Sequence, residues 1–283
     1  MEKLLARLKN SAVLSQRIAK RLVAYHGLLS EPVSNAFRRE KALNEIKRLM
    51  QALPDTELHR MVEEWCSKEQ TLVAQGKEEF RFRFGTNMAN GLNAAGLKVK
   101  GQLPVLRVGM FSLRVDFASG TAIVFWGPEV ERLKGGVSLA PDELVKILVS
   151  WTKNLGKRAS DPVKLKSQLF DAYHRILVLN GLEPGTRIPL LDILAELVLL
   201  IQPRSFRVNP ARAKFVEYPR VRFSYDLYRL KTSGEPMKGK EQLRLHVATF
   251  DATTQKTRAL WVPDNEEGEG TYYSYISFSR EDR

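Results

Sequence analysis

The sequence predicts an α+β fold: an N-terminal helical arm, a central mixed sheet with a helical layer, and a C-terminal antiparallel β portion. Three observations predict it. Apolar residues recur at helical spacing through the first 78 residues. Strict alternation of apolar and polar residues then takes over. Finally, a run of well-punctuated helical segments, 141–201, precedes a stretch dense in β-branched and aromatic residues. The expected divisions are a helical arm at 1–78, a strand-rich basic segment with a helix at 79–160, and a helical layer followed by antiparallel β structure at 161–283.

The arm reads as three helices. The first runs from about Lys3 to Tyr25 and stops at Gly27, with Leu4, Leu8, Ile18 and Leu22 near one face. The second opens at Glu31-Pro32, carries Val33, Phe37, Leu43, Ile46, Met50 and Leu53, and is closed by Pro54. Asp55 is the expected N-cap of the third, whose stripe of Leu58, Met61, Val62, Trp65, Leu72 and Val73 ends near Gly76. A stripe so narrow calls for a covering helix, from the same chain or from a partner.

Phe80-Arg81-Phe82-Arg83-Phe84 alternates and reads as a half-buried strand with two guanidiniums on one face. Val105–Val108, Phe111–Phe117 and Thr121–Trp126 follow as strands, the last two joined at Ser119-Gly120 as a hairpin. Pro141 with Asp142 and Glu143 opens a helix whose far end carries Lys153, Lys157 and Arg158, matching the helix dipole at both termini. Asp161-Pro162 opens another that closes at Asn180-Gly181, and a strongly apolar helix spans about Pro189 to Ile201. Expected strands in the remainder are Arg212–Val216, Arg220–Leu230, Leu243–Phe250, Arg258–Val262 and Thr271–Phe278, with loops at 232–241 and 264–270.

Composition narrows the function. With 283 residues, 43% hydrophobic and 27% charged, the chain is rich enough in apolar residues to fold without covalent staples. One cysteine, Cys66, excludes an intramolecular disulfide, reads as a buried helical thiol and fits a reducing compartment, so the cytoplasm is the expected location. No apolar run reaches the roughly 20 residues of a membrane span, and no membrane partner is expected. No Gly-x-x-x-x-Gly-Lys loop, dinucleotide fingerprint or Gly-x-Ser-x-Gly elbow occurs, and His26, His59, His174 and His246 stand far apart. No cofactor and no resident metal is expected. Enzymatic activity is the less favoured reading. Its best candidate is a metal-dependent nuclease built on Asp116, Glu129, Glu131 and Lys134.

Charge is the stronger signal. The chain carries 45 Lys and Arg against 32 Asp and Glu, a net +13. The excess is uneven: residues 1–80 and 161–283 each hold +3, residues 81–160 hold +7, and the short span 203–231 alone holds +6. Alternation places Arg220 and Arg222 opposite Val221, Phe223, Tyr225 and Leu227, and Arg81 with Arg83, Arg114, and Arg244 with His246 repeat that scheme. Such arginine-rich strand faces would track a phosphate backbone, since the planar guanidinium fork meets phosphate oxygens bidentately. The expected function is therefore a non-catalytic, nucleic-acid-associated subunit of a larger intracellular complex. Arg204, Arg207, Arg220 and Arg222 are its first phosphate contacts, followed by Arg81, Arg83 and Arg114. The N-terminal helices would engage a protein partner. Tyr272, Tyr273 and Tyr275 could add base-stacking rings, with Tyr273 and Tyr275 on one face. The alternative is an adaptor or scaffold whose basic surface meets an acidic protein.

Overall fold

In the computed structural model, residues 1–52, 56–233, 241–255 and 257–280 are described. The α+β class holds, with 57% helix and 19% strand. The chain divides into two compact units. One comprises 1–96 with 115–122 and 136–146; the other comprises 97–114, 123–135 and 147–283.

The first unit is built on α1 (Glu2–Gly27), α2 (Ala36–Met50) and α3 (Thr56–Ala94). Ile18, Tyr25, Leu43, Ile46, Met50, Val62 and Cys66 form its core, so the narrow stripes cover one another within the chain. A charged knot crosses the three helices. Arg39 of α2 is 3% exposed; it donates to Glu69 of α3 at 2.9 Å, to the Tyr25 hydroxyl of α1 at 3.2 Å and to the Pro32 carbonyl. Tyr25 in turn donates to Glu69, and its burial, with that carboxylate, pushes the phenol up to about 12. Four polar groups satisfy one another, which is the condition for burying them at all. The second helix starts at Ala36 rather than at Pro32, residues 31–35 forming a turn. Leu53, Pro54 and Asp55, expected at the α2–α3 junction, lie outside the described residues.

The third helix corrects the sequence reading. It runs for 39 residues, through Gly76 and through Phe80–Phe84, which is no strand. Buried positions recur at Val73, Gly76, Phe80, Phe84, Met88 and Leu92, every third or fourth residue, while Phe82 is 89% exposed. Phe80 and Phe84 fit a period of two and a period of four equally. The neighbours on both sides decide for the helix. Phe80 meets Phe37 edge-on at 5.4 Å, and Phe84 meets Phe117 at 5.6 Å.

Five strands, β1 (Val99–Gln102), β2 (Val105–Val108), β3 (Phe111–Asp116), β4 (Thr121–Trp126) and β5 (Glu131–Ser138), pair in chain order. The sheet is antiparallel rather than mixed, because short turns join consecutive strands and no crossover intervenes. The β3–β4 hairpin turns at Gly120, whose φ of +65° suits glycine and whose missing side chain leaves room for the Phe37 ring. Next come α4 (Pro141–Arg158) and α5 (Pro162–Asn180). Asp161 caps α5 by accepting from the Lys164 amide, and Gly181 ends it in the left-handed conformation.

The second unit's core joins α5 to α6 (Leu190–Leu200), to α8 (Arg220–Thr232) and to the C-terminal sheet. In that sheet the long β9 (Gly270–Arg280) is central. It pairs antiparallel with β7 (Glu241–Val247) on one side and with β6 (Ile188–Pro189) and β8 (Leu260–Pro263) on the other. Between β6 and β7 lies a short helix, α7 (Arg204–Val208), and after β7 comes α9 (Phe250–Thr253).

Two expected strands are not strands. Arg212–Lys214 is a single 3-10 turn, and Arg220–Leu230 is the helix α8. Val221, Phe223, Ser224, Asp226, Leu227, Tyr228 and Leu230 are all buried, so α8 is enclosed on most of its circumference. An enclosed helix shows no single apolar stripe, and its aromatic residues mimic strand composition. The buried Ser224 and Asp226 find partners. The Trp126 indole donates to the Ser224 hydroxyl at 2.9 Å, and that hydroxyl donates to the Trp261 carbonyl. The Asp226 carboxylate accepts from the Ser160 amide and hydroxyl and from Tyr218.

Candidate functional site

The seven arginines singled out by charge fall into two groups. Five meet a carboxylate. Arg81 and Arg83 sit on α3 and pair one turn back with Glu78 at 2.5 Å and Glu79 at 2.6 Å. On β3, Arg114 closes a two-pronged pair on Glu129, at 2.6 and 2.8 Å, which raises the guanidinium pKa further. Glu129 itself adopts a left-handed backbone, φ 59°, at the turn after β4. Arg220 donates to Glu131 at 2.7 Å and to the Ala259 carbonyl at 3.0 Å. Arg222 lies 3.9 Å from Asp226 and stacks over the Tyr218 ring at 4.8 Å. Of these five only Arg114 is on a strand. The expected arginine-rich strand faces are therefore corrected: helix α3 carries Arg81 and Arg83, and helix α8 carries Arg220 and Arg222.

Arg204 and Arg207 behave differently. They lie on α7, exposed, and the 3-10 turn that follows brings Arg212 and Lys214, also exposed. None of the four forms an ion pair among the described residues. Arg207 donates one N–H to the Leu200 carbonyl at the end of α6, where a cation also complements the helix dipole.

The loop that presents these cations is held by one buried side chain. Gln202, 3% exposed, donates to the carbonyls of Val198 at 2.7 Å and Val216 at 3.0 Å. Its own carbonyl accepts from the Val216 amide at 2.9 Å. The amide group thus clips residue 216 beside residue 202 as a neighbouring strand would. Inside the loop, Phe206 packs on Phe215 with ring centroids 5.5 Å apart. Arg212 and Lys214 belong to the charge excess at 203–231 but lie on a 3-10 turn, not on the expected strand. Their common loop with Arg204 was signalled by Pro203 and Pro210, which interrupt any regular element there.

The carboxylates considered for metal chemistry are engaged. Asp116 accepts from the Ala118 and Ser119 amides and from the Ser119 hydroxyl, which holds it below the usual carboxylate range. Glu129 and Glu131 face arginines. Among the described residues, no three His, Cys, Asp or Glu side chains gather as a metal set. Burial pushes the Cys66 thiol up, away from reactivity. No helix among the described residues is long and apolar enough to cross a membrane. Compared with models of protein families, with curated proteins and with solved structures, the chain finds no match.

Proposed function

We propose that the chain is a non-catalytic, nucleic-acid-associated subunit that meets phosphates through the loop at 203–216. The observation that carries this reading is that Arg204, Arg207, Arg212 and Lys214, on one clipped loop, have no ion-pair partner among the described residues. A cation already bonded to a carboxylate gains little from a phosphate, because the first partner must be released. A free one releases condensed counterions instead. Arg220, Arg222, Arg81, Arg83 and Arg114 are secondary on this reading. Val13 and Val23 of α1 and Met61, Leu72 and Phe82 of α3, all more than half exposed, offer apolar surface for a protein partner.

The test is binding to DNA and RNA as a function of salt. Four phosphate contacts give a log–log slope of about −3.6 on duplex DNA or about −2.8 on single strands. R204E/R212E/K214E, reversing three of the four charges, abolishes most of that slope. No detectable binding at low salt to any nucleic acid overturns the reading. One observation favours an acidic protein partner instead: Val208, 76% exposed, sits among the cations. A stoichiometric partner that persists after nuclease treatment, and is lost in the same triple variant, supports that role.

A further inference from the structure

The solvent face of the C-terminal sheet carries a second set of cations, and it differs in kind from the loop. Register fixes its members. Tyr275 of the central strand β9 lies opposite His246 of β7 and Pro189 of β6, and Ser277 lies opposite Arg244. Because Ile188 pairs with Ile276 in antiparallel register, Arg187 falls beside Ser277 on the other flank. The opposite face, with Ile188, Leu243, Ile276 and Phe278, belongs to the core.

A bulge sets this arrangement. Between His246 and Val247 the pairing on β9 steps from Tyr275 to Tyr273, so Ser274 is the extra residue. Tyr273 therefore packs against the core, while Tyr275 is 43% exposed. The shared face expected for these two tyrosines is thus divided by one residue. The Tyr275 hydroxyl makes no hydrogen bond among the described residues.

On this face lie Arg187, Gln242, Arg244, His246, Tyr275, Ser277 and Ser279, with no carboxylate among them; Ser277, between the two arginines, is itself buried, while Arg187, Arg244 and Tyr275 are exposed. A merely solvated strand face mixes both signs of charge. Arg244 donates only to Gln242, and neither it nor Arg187 forms an ion pair among the described residues. His246 shares a 2.9 Å hydrogen bond with Ser277. Its imidazole is held below the ordinary range by burial and then by the charges of Arg187 and Arg244.

The geometry points to a single-stranded nucleic-acid site on this face, with an unpaired base stacked on Tyr275 and the flanking phosphates held by Arg187 and Arg244. A ring in mid-sheet, one pair along from the two guanidiniums that flank Ser277, offers a base its π-face and the backbone its counter-charge. A duplex keeps its base faces inside the stack, so the site discriminates against it. The inference rests on the nucleic-acid reading above but uses different residues from the loop, so the two sites are tested separately.

The experiment is fluorescence anisotropy of the full chain with oligo-dT and oligo-U of about 12 nucleotides, within the site size of such surfaces, and with a duplex of equal length. Loss of one stacked base in Y275A weakens single-strand binding about 5- to 150-fold. Y275F, which keeps the ring, binds like the parent chain, and duplex binding is unchanged in both. R187E/R244E loses single-strand affinity as well. The oligo-dT and oligo-U arms separate DNA from RNA. Parental single-strand affinity in Y275A overturns the inference, and it leaves the loop reading standing if R204E/R212E/K214E still loses affinity. Loss in Y275A with full binding in the loop variant supports the sheet site and overturns the loop. Polyglutamate bound as tightly as the oligonucleotides, with Y275A without effect, identifies an acidic protein ligand and overturns the inference.

Discussion

The loop at 203–216 and helix α8 adjoin in sequence and are both rich in cations, yet their charges meet opposite fates. On α8, Arg220 and Arg222 are three-quarters buried at the side chain and face Glu131 and Asp226. In the loop, Arg204, Arg212 and Lys214 are exposed and unpaired among the described residues. Charge density alone does not separate an interior scaffold from a binding surface. The distinction lies in whether the fold has already supplied the counter-charge.

Three measurements bear on that contrast, each read by urea denaturation. The largest effect belongs to α8. Asp226→Ala leaves the Tyr218 hydroxyl and Ser160 without an acceptor and Arg222 without its nearest anion, at a cost of about 3–5 kcal/mol. A loss under 1 kcal/mol would mean that the charges of α8 are as dispensable as those of the loop. Gln202→Ala comes next. Unpairing Val216 on both sides costs about 1–3 kcal/mol, and trypsin then cuts faster after Arg204, Arg207, Arg212 or Lys214. Unchanged trypsin resistance would show that Phe206 and Phe215 alone hold the loop. R204E/R212E/K214E has the smallest effect, within about 0.5 kcal/mol of the parent chain. Greater destabilisation would place those cations in the scaffold after all.

Elements with explicit punctuation were legible in the sequence. Asp161-Pro162 and Asn180-Gly181 bracket α5 as a capped helix, and the hairpin strands 111–116 and 121–126 stand where alternation puts them. Misreadings arose where one set of residues serves two periods, as at Phe80–Phe84, or where burial on all sides erases the stripe, as on α8. The separation of Tyr273 from Tyr275 depends on a bulge at Ser274, which no pattern of period two anticipates. For the arginines the limit was distance along the chain. Glu131 lies 89 residues from Arg220, and Glu129 lies 15 from Arg114, so neither neutralisation is visible in local composition. Glu78 and Glu79 are different: once Arg81 and Arg83 are helical, their i,i+3 and i,i+4 partners follow.

The clip made by Gln202 has a kinetic consequence. A segment that acquires its shape only on meeting a ligand must bear its ordering entropy at that moment, and association slows or weakens accordingly. Here the two ends of residues 202–216 are joined when the protein folds. Encounter with any polyanion then starts from a finished surface, so its rate is governed by diffusion and by the long-range field of the cations. Raising the ionic strength would slow the arrival of a polyanion there by screening that field.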